Sequence, residues 1–324
     1  LPVGPAPVLS PAIGDRPAWF LVRLTWEVET PWRLERLVAA HDRQRAAHPH
    51  HRLIVLANTG REHELLARAG VATAAIHENC FCDERVFDVA PAAERTFDAI
   101  YTARPKPYKR HELAAAVDSL ALIYGQVLPE ERERYLEIRR MLPRAVYANE
   151  VEAARIATAG LDPRRRRVAE RLIAHHRNVG MPAASVAAWL NRARVGLCLS
   201  AEEGGMQASI EYLLCGLPVV STRSLGGRER YFDPAFARIV PDDARAVGAA
   251  VRVLADARLD PHAIRAAALT AIGRDRADFV ALVRGIIEEA TGSAAAAWRF
   301  PETGHVDAFP SRKIAALALE VAAP

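Results

Sequence analysis

The chain has 324 residues, 43 Lys+Arg against 39 Asp+Glu, a formal net charge of +4, and is 51% hydrophobic and 25% charged. That composition excludes a disordered, collagenous or coiled-coil chain, and the near balance of acids and bases excludes nucleic acid as the main partner. The length suits two domains of about 100–200 residues each, with cores that need no disulfide or metal staple.

Residues 1–15 are Pro-rich and read as a tail; they lack the basic start of a secretion signal, and no apolar run approaches the ~18 residues of a membrane span. A cytoplasmic protein is expected, with peripheral contact at the inner membrane face left open. Cys80, Cys82, Cys198 and Cys215 form no zinc-like pair of pairs and are expected as reduced thiols. A short buried strand is predicted over residues 19–24, then a polar turn, then a helix opened by Pro31 that runs to about residue 47. Residues 52–57 read as strand, 62–69 as helix ending at Gly70, and 71–76 as strand. His48, His50 and His51, with no acidic partner at ligand spacing, read as a surface turn, and no metal site is assigned.

The pattern lapses over residues 83–96 into a charged connection. A second alternating run follows, with strands at 99–102, 120–124, 145–147, 195–199 and 218–221. Its helices are predicted at 109–118, 129–141, 168–176, 184–193 and 206–215. The arginine run at 164–167 reads as a solvated helix start. Two consecutive doubly wound α/β units are implied: a shortened first domain over 16–92, a second over 93–290, and a loop and helix over 291–324 whose crossing back to the first domain is left open.

In such sheets ligands bind beyond the carboxyl ends of the strands, and two loops there stand out. The first carries Arg104, Lys106, Lys109 and two prolines, a stiff cationic turn suited to a diphosphate. Only three of the 43 basic residues are lysines, and two of them, Lys106 and Lys109, fall in this loop. Lys109 is the expected phosphate ligand and Lys106 a neighbour on the loop surface. The second loop runs from Ser200 through Glu202, Glu203, Gly204, Gly205, Met206 and Gln207 into a helix whose first N–H groups favour an anion. Glu211, inside that apolar helix, needs hydroxyl or N–H partners. Cys215-Gly216-Leu217-Pro218-Val219-Val220 and the pair Gly226-Gly227 follow.

The stretch from Ser200 to Glu229 resembles the signature of family 4 (group 1) glycosyltransferases: two glutamates eight positions apart around a glycine turn, then Cys-Gly-x-Pro-Val-Val and a Gly-Gly loop. The loop of Arg104 and Lys109 resembles that family's donor-phosphate loop, and His77-Glu78-Asn79 resembles its interdomain segment. The resemblance implies a GT-B fold of two Rossmann-like domains and a retaining transferase, acting without a metal or other cofactor on a nucleotide-sugar. By the same resemblance Arg104 and Lys109 would hold the donor diphosphate, Glu203 the donor sugar and Glu211 the ribose hydroxyls, with Gly204, Gly205, Met206 and Gln207 at the helix start completing the donor site. The acceptor would be a glycan, a lipid-linked or another hydroxyl compound. Met206 stands where the family often has glycine, and the short first domain shows no familiar acceptor motif. Thr25, Trp26, Glu27 and His77 are the candidates for acceptor contact. Two other readings compete: a non-catalytic nucleotide-sugar binder of the same fold, and a sugar-nucleotide epimerase, for which no convincing acid/base pair is visible. A homo-oligomer that completes the small first domain is left open.

Overall fold

In the computed structural model, which describes residues 2–90, 94–125, 127–160, 162, 165, 180–294 and 297–300, the alternating elements form two parallel sheets. The first, preceded by helix α1 (Ala6–Ile13), has the order β1 (Ala18–Arg23), β2 (His51–Leu56), β3 (Thr73–Ala74), with α2 (Pro31–Ala47) and α3 (Gly60–Arg68) as crossovers. The second holds β4 (Phe97–Thr102), β5 (Leu120–Ile123), β6 (Val146–Tyr147), β7 (Ala193–Cys198), β8 (Val219–Thr222) and β9 (Ala237–Val240). Its order is β6-β5-β4-β7-β8-β9 with every pairing parallel. Helices α4 (Arg132–Met141), α5 (Ala148–Ala157), α6 (Ala183–Leu190), α7 (Gln207–Leu214), α8 (Ala244–Asp256) and α9 (Pro261–Thr291) accompany it. Strands β5 and β8 are buried at every position, which is why they read as unbroken apolar runs instead of alternating ones.

Several local expectations are corrected. The Pro-rich start is not a tail: Val3, Ala6 and Leu9, spaced three apart, present one apolar face to the first core. Pro7 is tolerated in the first turn of α1 because an N–H there has no intrahelical acceptor. The helix expected over 109–118 is two 3₁₀ turns, Pro107–Lys109 and His111–Ala114, separated by Arg110 at φ 49° in the left-handed region. His51 is no surface residue: it opens β2, is buried, and its Nδ1 lies 2.8 Å from Ser10 Oγ. The predicted helices at 168–176 and near 312–321 lie outside the described residues, as does most of the arginine run at 164–167.

Helix α9, 31 residues long, ties the two halves together. Its Arg276 donates to the carbonyls of Cys80 (2.7 Å) and Cys82 (2.8 Å) and pairs with Glu84 (2.6 Å). Arg265, three turns earlier on the same face, donates to Leu214 O (2.7 Å) and Glu84 O (2.7 Å). Phe81 meets Phe279 edge-on at 4.9 Å and stacks on Phe300 at 5.6 Å. The connecting segment is therefore clamped, and the carboxyl edges of both sheets face each other across a narrow cleft.

Inside the second sheet, Gly196 of β7 is a packing requirement. A Cβ there would sit 2.5 Å from Tyr212 Cγ, and Tyr212 Oη accepts the Thr102 N–H (2.7 Å) at the end of β4. Overpacking of this kind costs about 1–3 kcal/mol. Gly196→Ala is expected to lower the unfolding free energy measured by urea titration by that amount, with wild-type stability as the contrary result.

Candidate functional site

The chain leaves β4 toward β5 and β6 on one side and returns to β7, β8 and β9 on the other, so β4 and β7 are neighbours whose following loops diverge. A crevice opens at such a switch point. Here the two loops meet through side chains. Lys109 Nζ pairs with Glu203, both about nine-tenths buried, and Ser200 Oγ donates to Glu203 Oε1 at 2.5 Å. Tyr101 Oη donates to Lys109 O (2.5 Å), and Ala201 N–H donates to Tyr108 O (2.8 Å). Arg104, 45% exposed, reaches the rim and pairs with Glu131 at 2.7 Å. Lys106 is not a bystander on the loop surface; it shares Glu131 at 3.0 Å. Burial pushes the Glu131 carboxyl up, but the Leu128 N–H, Lys106 and Arg104 outweigh it and hold its pKa below the ordinary value.

Two arginines that the sequence did not single out hold these loops in place. Arg110 donates to Leu199 O (2.6 Å), Ser200 O (3.0 Å) and Thr222 Oγ1 (2.7 Å), and pairs with Asp242 (2.5 Å). It thereby joins the loops after β4, β7, β8 and β9. Arg228, almost wholly buried, donates to Ser200 O (2.7 Å) and to Thr222 O. A planar fork with five donors suits points where several carbonyls converge. Arg110 itself sits at φ 49° in the left-handed region, which nothing in its sequence context announces.

The glycine turn faces the first domain at backbone contact. A Cβ on Gly204 would lie 2.7 Å from the Thr25 carbonyl carbon, and one on Gly205 2.7 Å from His77 Cε1. A Cβ on Gly227 would lie 2.5 Å from Asn58 Cβ. Gly226, at φ 92°, is pressed on the Glu203 carbonyl. The two glycine loops are stitched by Glu203 N to Leu225 O (3.0 Å), Leu225 N to Ala201 O (3.1 Å) and Gly227 N to Gly204 O (2.9 Å). His77, Glu78 and Asn79 close over them. Gly205 N–H donates to Glu78 Oε1 (2.6 Å), so a carboxylate of the first domain takes the anion position at this turn. Asn79 Nδ2 donates to Gly205 O (2.6 Å). His77 Nδ1 accepts the Asn79 N–H (3.1 Å), which leaves Nε2 to donate to Gly227 O (2.8 Å).

Met206, the residue in place of the family's glycine, is the N-cap of α7 at φ 46°. It keeps the left-handed conformation that a glycine would adopt at no steric cost. Gln207 is exposed at the helix start, whereas Glu211 is buried one turn on, and no described residue bonds to its carboxyl. Burial alone pushes it up to about 7.

On the first-domain side, Thr25 and Trp26 are exposed at the cleft, and Trp26 meets Tyr108 edge-on at 5.2 Å. The other two acceptor candidates are committed elsewhere. Glu27 is fully buried; it accepts from Thr30 N (2.9 Å) and Thr30 Oγ1 (2.5 Å) and pairs with Arg33. Both ring nitrogens of buried His77 are used in the clasp. Arg33 also forms a bidentate pair with Glu202 (2.9 and 3.1 Å), a contact across the cleft that the sequence did not reveal. Among the described residues no group of three His, Cys, Asp or Glu side chains gathers around one point.

Residues 120–256 match the family model "Glycosyl transferases group 1". Over that stretch the chain is similar to group 1 glycosyltransferases. Among curated proteins none matches the sequence. Among solved structures, Anabaena HepE in complex with UDP superposes with a TM-score of 0.56 at 15% identity, over 86% of this chain and 73% of that one. Sucrose-phosphate synthase from Thermosynechococcus elongatus gives 0.52 at 18% identity, over 83% and 67%. A glycosyltransferase from Rickettsia africae gives 0.54 at 12% identity, over 85% and 71%. At these identities the likeness establishes the fold, which is the two-domain GT-B arrangement. Among the described residues no helix is long and apolar enough to cross a membrane.

The clasp on this domain is pH-sensitive in a direction that follows from its buried groups. Burial pushes Glu78 up to about 7, opposed by the Gly205 N–H and Arg23 and reinforced by Glu203; Glu62 is likewise raised to about 7. Carboxyls raised from 4.5 hold their proton more tightly when folded, so their contribution is full below about 4.5 and is lost as the pH rises through about 7. Burial lowers His77 to about 4 and His111 to about 3, so their contribution is full above 6.5 and is lost as the pH falls toward those values. Glu78→Gln keeps an acceptor for Gly205 N–H and removes the buried charge. Its Tm is expected to fall less than that of the wild type between pH 5 and pH 8; parallel profiles would contradict this assignment.

Proposed function

We propose that the chain is a retaining glycosyltransferase that moves a sugar from a nucleoside-diphosphate donor to a hydroxyl of a glycan or glycoconjugate. The observation that carries this reading is the meeting of Lys109 and Glu203 at the switch point, one on each diverging loop, with Arg104 at the rim. A diphosphate between Arg104 and Lys109 receives charge-assisted bonds from both, while Glu131 and Glu203 hold the two side chains by ion pairs. When the bond from the anomeric carbon to the diphosphate oxygen breaks, negative charge grows on that oxygen. The two cations stabilise it more than they stabilise the intact donor. The acceptor oxygen bonds to the anomeric carbon on the face the diphosphate leaves, and the hydroxyl proton passes to the departing phosphate.

In this reading Glu203 contacts the donor sugar and the start of α7 at Met206 and Gln207 adds its positive end, with Gly204 and Gly205 allowing close approach while the Gly205 N–H stays on Glu78. Glu211, a buried carboxyl without a described partner, suits the paired hydroxyls of a ribose, which donate to it and satisfy its lone pairs. The arginine and lysine supply the positive charge that a metal supplies elsewhere, so the reading calls for no cofactor. The UDP held by HepE makes uridine diphosphate sugars the first donors to try.

A charge-assisted hydrogen bond contributes about 1.5–3 kcal/mol. Lys109→Ala is therefore expected to weaken UDP binding roughly 10- to 100-fold by calorimetry. Lys109→Arg is also expected to lose affinity, because the ammonium is packed between Glu203 and the Tyr108 ring, 5.2 Å away. Glu211→Ala is expected to weaken UDP without disturbing pyrophosphate. Wild-type UDP affinity in both Lys109→Ala and Glu211→Ala would remove the site assignment.

A further inference from the structure

A cavity of about 470 Å³ lies at the carboxyl end of β1 and the start of α2. Two tryptophans and three arginines dominate its lining: Arg23, Trp26, Trp32, Arg33 and Arg36. Trp26 and Trp32 are 42% and 54% exposed, unusual for so large a ring unless a ligand covers it. The charges of this lining do not cancel. Glu27, its one acid, is saturated by Thr30 and Arg33, and Arg33 spends its remaining donors on Glu202. Arg33 also sits 5.0 Å from the centre of each tryptophan ring, which fixes the spacing of the two aromatic walls. Arg36 is exposed and makes no ion pair or hydrogen bond with a described residue. Arg23 makes no salt bridge among the described residues; it lies 5.5 Å over the Phe81 ring and feels Glu78 only at a distance.

The cavity adjoins the donor loops on both sides. Trp26 touches Tyr108 of the phosphate loop, and the Thr25 backbone touches Gly204 of the glycine turn. We propose that this cavity receives the acceptor and selects a sugar that bears an anionic substituent, a carboxylate or a phosphate. The ring lies against the tryptophan walls, and the charge is held by Arg36 and Arg23. Guanidinium groups bind both anions through paired N–H donors, and an apolar ring face against tryptophan supplies the remaining contact. The word acceptor rests on the transferase reading; the preference for an anionic sugar rests on the cavity alone.

Calorimetric titration of the wild-type chain with methyl β-D-glucuronide, glucose 6-phosphate, methyl β-D-glucoside and inorganic phosphate tests it. At least one anionic sugar is expected to bind tenfold or more tighter than the neutral glucoside and than inorganic phosphate. The tighter of the two anionic sugars identifies carboxylate or phosphate as the recognised group. Arg36→Ala is expected to reduce that affinity tenfold or more, Arg36→Lys to restore part of it, and Trp26→Ala to weaken all three sugars together, with circular dichroism confirming that each variant is folded. Equal affinity for the neutral glucoside, equal affinity for inorganic phosphate, no sugar binding, or an unchanged Arg36→Ala variant overturns the proposal. A UDP-induced rise in Tm of the wild type reports on the donor side separately. UDP binding without a preference for an anionic sugar removes this proposal alone, and an anionic-sugar preference without UDP binding removes the transferase reading alone.

Discussion

Backbone contact between two sheet edges is the constraint on which the site depends. At Gly204, Gly205, Gly226 and Gly227 a Cβ would lie within 3.0 Å of an atom across the gap or of the neighbouring loop. With no side chain to hold them apart, the turns after β7 and β8 settle directly under residues 24–28, Asn58 and the His77-Glu78-Asn79 clasp. The approach removes water from Glu78 and His77 and perturbs both in opposite directions, the carboxyl upward and the imidazole downward. Beside these turns it leaves the cavity lined by Trp26, Trp32 and three arginines.

The division of labour between arginine and lysine follows from this crowding. Arg110, Arg228, Arg265 and Arg276 each bridge two or more backbone carbonyls or carboxylates, which a fork of fixed geometry does well. Lys109 faces one carboxylate and the face of one ring in a nearly closed space, where a compact charge fits. A chain that uses lysine only three times uses two in this loop, and both are ion-paired. Arg33 adds a further kind of contact, since it carries charge compensation from Glu27 across the cleft to Glu202, next to Glu203.

Most strands were legible because parallel strands buried on both faces leave unbroken apolar runs; β9, buried only at its first residue, leaves none and was missed. Lys109 and Glu203 stood out singly because each lies in a loop of unusual composition, whereas their pairing is visible only in the fold. The resemblance marked Met206 as a departure from glycine, and its backbone adopts the left-handed conformation that glycine takes at no steric cost. Other features had no local signature. Glu131 follows a proline as an ordinary helix-start acid does, and only the fold reveals that it holds both Arg104 and Lys106. Helix α9 had no single apolar stripe to mark it, because it packs on α7 and clamps the connecting segment at once. The first 15 residues misled because prolines suggest a tail, while their apolar spacing of three describes a short helix. Glu27 and His77 were reasonable candidates by position, but burial and complete hydrogen bonding make them braces for the cleft.

The most direct measurement is a crystal structure of the chain with UDP. The predicted result places the diphosphate between Arg104 and Lys109 at the β4–β7 switch point, with the ribose hydroxyls on Glu211. A diphosphate bound elsewhere, or a ribose remote from Glu211 with Lys109 still held only by Glu203, would contradict it.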